Sequence, residues 1–253
     1  MFEIATRKKA KLRLALAGPS GSGKTLSALM IAGGMTDGDW SRVALIDTEH
    51  ERARFYADRS EWNIGEFLYQ PLFPPYKSQK YIEYATAGAA AVGEDGVLIV
   101  ESLSHAWEGE GGVLEYKSEV EKQKGKNSYT AWDEAGKMQN TLINSLLSLP
   151  CHVIVTLRTK TAYTMEVNDR GKNVPVKIGL APIQRENTAY EFVIVPNLDR
   201  QHYATASKVT PFLPDFHAPI APGDTTKPTH CLPDGTNPLP APKSPPSLTP
   251  HPR

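Results

Sequence analysis

The sequence predicts an α/β domain built on a mostly parallel central sheet. Three observations carry that prediction. Short, fully apolar runs alternate with stretches of helical spacing. One strand-to-helix junction holds a complete G-x-x-x-x-G-K-[ST] run from Gly18 to Thr25. Proline is unevenly spread: 11 of the 21 prolines fall in the 37 residues 217–253, so the periodic apolar pattern sits in residues 1–216.

Residues 12–17 (LRLALA) read as a first strand, and residues 24–35 as the helix after the glycine-rich turn. Residues 42–47 (RVALID) form a second strand ending in an acid, and residues 67–70 a short third. Residues 78–92 are an Ala-rich helix. The run VLIV at 97–100 ends at Glu101 and has the continuous apolar character of a strand buried on both faces. Helical spacing returns over residues 130–149, where Pro150 stops it. HVIVTL at 152–157 is another buried strand. The pattern is then lost in the polar stretch 158–185. Residues 190–195 and 202–207 predict an antiparallel pair around 196–201. Residues 217–253 lack periodicity and cannot bury enough apolar surface to offset chain ordering, which predicts a disordered Pro-rich tail after one domain, 1–216.

Composition excludes some classes. Lys+Arg and Asp+Glu are both 28, so a polycation that coats nucleic acid by bulk charge is ruled out, though a local basic patch is not. No apolar run nears the roughly 20 residues of a membrane span, and no signal-peptide segment follows the basic start. With only Cys151 and Cys231, the expectation is a protein of a reducing cytoplasm, with no membrane partner.

The loop Gly18-Pro19-Ser20-Gly21-Ser22-Gly23 can turn backbone N–H groups inward around phosphate oxygens. The next helix adds its positive end. Lys24 is placed to reach the β- and γ-phosphates of ATP, and the Thr25 hydroxyl to ligand Mg²⁺. Phosphoryl chemistry also needs a group that positions water and help in holding the metal. Glu101, closing the VLIV strand, is the candidate for the metal shell. Asp is the usual residue there, so the longer side chain is a departure. Asp47-Thr48-Glu49-His50 closes RVALID. Glu49 is the candidate base, expected beside the phosphate loop if the two strands are near neighbours, while Asp47 braces the site. These acids also have the spacing to cap a helix starting near Glu51.

At these residues the sequence resembles the RecA-like recombinase superfamily. The segments GPSGSGKT, RVALIDTEHERARFYADR, VLIVESLSHAW, the helix with Ala131-Trp132, and HVIVTLRTK follow in that family's order. The likeness is closer to small phage-encoded P-loop proteins with a minimal RecA core, described as nucleotide-binding or AAA-type ATPases, some acting in single-strand DNA annealing or recombination. It covers about residues 11–212, and IGLAPIQRENTAYEFVIV adds to it. The resemblance implies a RecA-like P-loop NTPase fold and an ATPase. It implies that Glu49 is the catalytic glutamate and that Thr156 senses the γ-phosphate. Lys208 lies where related filaments insert a basic finger into a neighbour's ATP. The implied partners are single-stranded DNA, further copies of the chain in a ring or filament, and phage or host recombination proteins. The implied compartment is the cytoplasm of a bacterial host.

The stretch 158–185 carries Arg158, Lys160, Arg170, Lys172, Lys177 and Arg185 against two acids, Glu166 and Asp169. It is the candidate DNA-binding loop, able to track a phosphate backbone. A solvated β-hairpin turning at Asn168-Asp169-Arg170-Gly171 fits equally. Residues 117–126 are a second lysine cluster, read as a charged helix end, and Arg7, Lys8, Lys9 and Lys11 a third. Trp107 and Trp132 read as packing aromatics. Two other functions stay open: a nucleotide-regulated interaction module without turnover, and a small-molecule P-loop kinase.

Overall fold

Alternation along the central strands decides the layering. The computed structural model of this chain describes residues 10–167 and 173–208, with backbone alone for 163–167, 173–178, 190 and 206–208. Its strands are β1 (Arg13–Gly18), β2 (Val43–Asp47), β3 (Leu68–Pro71), β4 (Val97–Glu101), β5 (His152–Val167), β6 (Asn173–Pro182), β7 (Val195–Leu198) and β8 (Ala204–Lys208). Its helices are α1 (Lys24–Met35), α2 (Ser78–Val92), α3 (Ser104–Glu108), α4 (Val113–Glu121) and α5 (Ser128–Leu147). Successive strand residues point to opposite faces. Leu14, Leu16, Leu45, Ile99 and Ile154 thus meet Ala28, Leu29 and Ala32 of α1. Ala15, Ala17, Leu98, Val100, Val153 and Val155 meet Tyr81, Ala85 and Ala89 of α2 and Leu142 and Leu146 of α5 on the other face. Two helical layers enclose the sheet, so its inner strands are apolar throughout.

The strand order is β3-β2-β4-β5-β1-β7-β8, with β6 attached to β5. All neighbours from β3 to β7 run parallel, whereas β7–β8 and β5–β6 are antiparallel. This is the predicted fold class: an α/β P-loop NTPase with a mostly parallel sheet and antiparallel C-terminal strands. One expectation is corrected. β1 and β2 are not close neighbours, because β4 and β5 lie between them.

Helices α1 and α2 match their predicted limits. Helix α5 begins two residues before its predicted start because Asn127 and Thr130 form a reciprocal capping box. It stops at Leu147, where Arg13 takes over the free carbonyls. The buried guanidinium donates to the carbonyls of Leu147, Leu149 and Cys151. That ties β1 to the end of α5 through charge-assisted bonds. Helices α3 and α4 were not legible as separate elements, and both are short.

Strand β5 continues beyond the predicted end at Leu157. Its first half lies between β4 and β1, and from Thr159 it pairs only with β6, with a bulge at Ala162/Tyr163. The polar stretch is therefore a β-hairpin, rising about 30 Å from the sheet at ~3.3 Å per residue. Its tip, including Arg170 and Lys172, lies outside the described residues, as do Arg7–Lys9 and the 217–253 segment. The first C-terminal strand is also displaced. Residues Thr188–Glu191 form a 3-10 turn that seats Phe192 in the core, and the chain joins β1 only from Val193.

At the opposite edge, Leu12 N–H donates to His152 Nδ1 at 2.9 Å, so this nitrogen must be unprotonated. Burial, followed by the charges of Lys11 and Arg13, pushes the imidazole down to about 4. The unfolded chain then binds the proton more readily, and stability present above about pH 6.5 is lost as pH falls toward 4. His152→Asn, whose amide oxygen can accept without titrating, should flatten that part of the slope in pH-dependent thermal melts.

Candidate functional site

The carboxyl ends of the parallel strands gather every central residue of the site. The phosphate loop leaves β1 at Gly18, where a Cβ would meet Ser22 Oγ at 2.5 Å and the Leu198 carbonyl at 2.7 Å. Gly23 takes φ +84, a left-handed conformation costly for other residues, and a Cβ there would press on His202 at 3.1 Å. Pro19 and Ser20 lie on the outer part of the loop, and Ser22 is buried within it. Lys24 is 7% exposed and donates from Nζ to the Pro19 carbonyl at 2.9 Å. Burial lowers its pKa, while the nearby charges of Glu101 and then Glu49 oppose that. Thr25 follows, half-buried, in the first turn of α1.

Register places the acids. Asp47 and Glu101 are partners across β2 and β4, and Thr48 N–H donates to the Glu101 carbonyl. Asp47 is a brace, as expected. It accepts from Glu49 N–H, Ala53 N–H and the Tyr69 hydroxyl. The Ala53 contact pins the 3-10 helix Arg52–Tyr56 that forms where a helix near Glu51 was expected, and the Tyr69 contact ties Asp47 to β3. Between them His50 and Glu51 take φ values of +56° and +61°, strained for residues with side chains. Glu49 Oε1 lies 3.9 Å from Arg158 Nε at the sheet end of β5, the neighbour of β1, and its charge is felt by Lys24.

Glu101 is 4% exposed and its Oε2 has no hydrogen-bond partner among the described residues. Burial pushes its carboxyl up to about 7 against the pull of Lys24 and the Thr156 hydroxyl; Glu49 adds to the rise and Thr25 opposes it. Thr156, fully buried on β5, is the register partner of Leu16 on β1. Its hydroxyl is near enough to act on the Glu101 carboxyl without a hydrogen bond of ordinary geometry, and the Ser22 hydroxyl has no partner among the described residues.

A glycine-rich loop leaving β1, two acids at the neighbouring ends of β2 and β4 and a buried hydroxyl on β5 thus share the carboxyl edge of the sheet. A family profile described as an AAA domain matches residues 10–201. This chain belongs to the AAA-domain family. No curated protein matches it. The AAA domain is thus a nucleotide-binding fold of a P-loop ATPase family.

Within this AAA domain the structure also brings together residues that sequence reasoning did not single out. The Thr48 hydroxyl receives the Ser102 N–H at 2.8 Å and lies 2.7 Å from His105 Nδ1. His105 Nε2 is 3.0 Å from Arg158 Nη1, and the Tyr76 ring stacks on the imidazole at 4.8 Å. Ser104 Oγ accepts from Arg158 N–H. The available signal was position: Ser102, Ser104 and His105 directly follow the end of a buried parallel strand. Arg158 sits at the foot of the hairpin with Nε 3.9 Å from Glu49 Oε1. Lys160 and Arg185 are exposed, and Arg185 donates to Asn140. For Lys177 and Lys208 the structure describes backbone only: they pair with Tyr163 and Val195. In the second lysine cluster Lys117 and Lys126 are ion-paired with Glu121 and Glu134. Trp107 stacks on Trp132 at 6.2 Å. Among the described residues no helix is long and apolar enough to cross a membrane.

The raised Glu101 carboxyl has a stability consequence. Its neutral form is the one the fold favours, so its contribution is present at acid pH and lost as pH rises through about 7. In nucleotide-free protein, Glu101→Gln should melt several degrees above the wild type at about pH 8 and level with it near pH 5, read by thermal denaturation.

Proposed function

We propose that this AAA domain is a Mg²⁺-dependent ATPase of RecA-like class whose nucleotide state governs contact with single-stranded DNA. One observation carries the reading. Gly18, the first residue of the phosphate loop, is the register partner of Arg158, the residue from which the basic hairpin rises. Ligand at the loop and polymer at the hairpin would act on the same pair of strands.

The residues present fit the nucleotide. The left-handed Gly23 opens the loop toward α1, whose free N–H groups attract anions. Lys24 exchanges the Pro19 carbonyl for β- and γ-phosphate oxygens. Ser22 Oγ and Glu101 Oε2, unpartnered among the described residues, are buried polar atoms that a bound nucleotide and its metal would satisfy. Thr25 and Glu101 hold Mg²⁺. Among the described residues no three His, Cys, Asp or Glu side chains form a metal cluster, and Mg²⁺ at phosphates ordinarily takes one or two protein ligands with phosphate and water. When bound, the metal neutralises charge on the phosphate oxygens. Glu49 orients the attacking water and accepts its proton, and Thr156 donates to the γ-phosphate.

Lys160, Lys177 and Arg185, together with Arg170 and Lys172 outside the described residues, are the candidate backbone contacts to DNA. We assign the protein to phage recombination, annealing or repair in a bacterial cytoplasm, together with phage or host recombination proteins. Self-association in a ring or filament would bring Lys208 of β8 to a neighbour's nucleotide.

The test is ATP hydrolysis with and without single-stranded DNA. Turnover should rise with DNA, and Glu49→Gln should lower kcat by about a hundredfold or more while nucleotide binding persists. Lys24→Ala should lose binding itself. DNA affinity should fall steeply with salt, and less steeply once Lys160 and Lys177 become Ala. Nucleotide binding without turnover in the presence of DNA would favour the interaction module. Unchanged turnover in Glu49→Gln would remove Glu49 as the base.

A further inference from the structure

His105 sits between the candidate base and the hairpin, and its hydrogen bonds define its state. A guanidinium can only donate, so the 3.0 Å contact from Arg158 Nη1 requires an unprotonated Nε2. The ring proton is then on Nδ1, donating to Thr48 Oγ1 at 2.7 Å. Thr48 Oγ1 also accepts from Ser102 N–H and turns its own hydrogen to the Ser102 carbonyl. Every donor in this chain meets an acceptor only when the imidazole is neutral. Tyr76 stacks over the ring and donates from its hydroxyl to the Thr48 carbonyl, so the imidazole is clamped on its face as well as its edges.

This clamp fixes a charge. Arg158 is held by His105 through its side chain and by Ser104 through its main chain. Its guanidinium thereby stays 3.9 Å from Glu49 and within electrostatic reach of Lys24 in the phosphate loop.

We propose that His105 is a positioning residue for ATP hydrolysis, its neutral imidazole holding Arg158 where the guanidinium aligns Glu49 and faces the γ-phosphate. The proposal rests on Glu49 being the water-orienting base. A second proton on His105 would oppose two donors across the Nε2 contact and release Arg158. Burial lowers the imidazole pKa and so keeps the acceptor free; Glu49 and Glu108 pull the other way, while Arg158 and His50 favour the neutral ring. The same arginine begins the hairpin, so a shift of its side chain onto phosphate would be felt at the first residue of the DNA-contacting arm.

Steady-state ATP hydrolysis tests this, measured across pH for wild type, His105→Ala, His105→Gln, Arg158→Ala, the His105→Ala/Arg158→Ala double variant and Glu49→Gln. His105→Ala should lower kcat about tenfold with KM changed by less than about twofold. The double variant should turn over no more slowly than Arg158→Ala, because both act through one contact. His105→Gln, whose amide oxygen can take the place of Nε2, should recover most of the loss. Its kcat should also fall less than that of the wild type at acid pH, since an amide does not titrate. Should His105→Ala fail to fold, the Gln variant's pH profile decides alone, and an acid limb identical to the wild type's overturns the proposal. Wild-type kcat in His105→Ala alongside an inactive Glu49→Gln overturns the proposal and leaves Glu49 as the base. Independent, multiplying losses from His105→Ala and Arg158→Ala overturn it too. Full turnover in Glu49→Gln removes the base and the proposal together.

Discussion

The pairing of β1 with β5 is the constraint on which the site depends. It runs in unbroken parallel register from Arg13↔Val153 to Gly18↔Arg158. At its start Arg13 also ties the pair to the carbonyls at the end of α5. At its end one strand becomes the phosphate loop and the other continues as the hairpin. A slip by one residue would send every apolar side chain of β5 to the wrong face, and would move Thr156 and Arg158 away from the loop. Hydrophobic burial on two faces thus sets the position of polar groups that take no part in that burial.

The site stores polar groups at a cost. Ser22 Oγ and Glu101 Oε2 are buried with no hydrogen-bond partner among the described residues, which opposes folding by about 1–3 kcal/mol for a group left unsatisfied. The strained turn at His50 and Glu51 adds to this, and Asp47 holds it by accepting two backbone N–H bonds and the Tyr69 hydroxyl. Tertiary contacts on the two flanking cores offset these terms. The zero net charge acquires a local meaning here. Acids and Lys24 face one another at the carboxyl edge, and the exposed Lys160 stands on the hairpin strand beyond it.

Much of the fold was legible in the sequence because parallel strands buried on both faces leave unbroken apolar runs. VLIV and HVIVTL are such runs, and α1 and α2 have their limits set by the glycine turn and by Gly93. The hairpin half of β5 was harder to see, since beyond Arg158 it pairs only with β6 and its residues show no apolar period. Residues 190–192 misled for the opposite reason: Phe192 is apolar because a 3-10 turn seats its ring in the core. Helices α3 and α4 are too short to establish a period.

By itself the sequence determined that a phosphate loop joins a strand to a helix, that acids close two strands, and that a basic segment follows a third. These are local properties, written in residue type and spacing. Only the tertiary structure decided that β4 and β5 separate the loop strand from the Glu49 strand, that Glu49 nonetheless meets Arg158, and that His105 holds Arg158 between base and hairpin. Those relations join residues more than fifty positions apart. Strand order and side-chain direction create them, and no spacing along the chain encodes either.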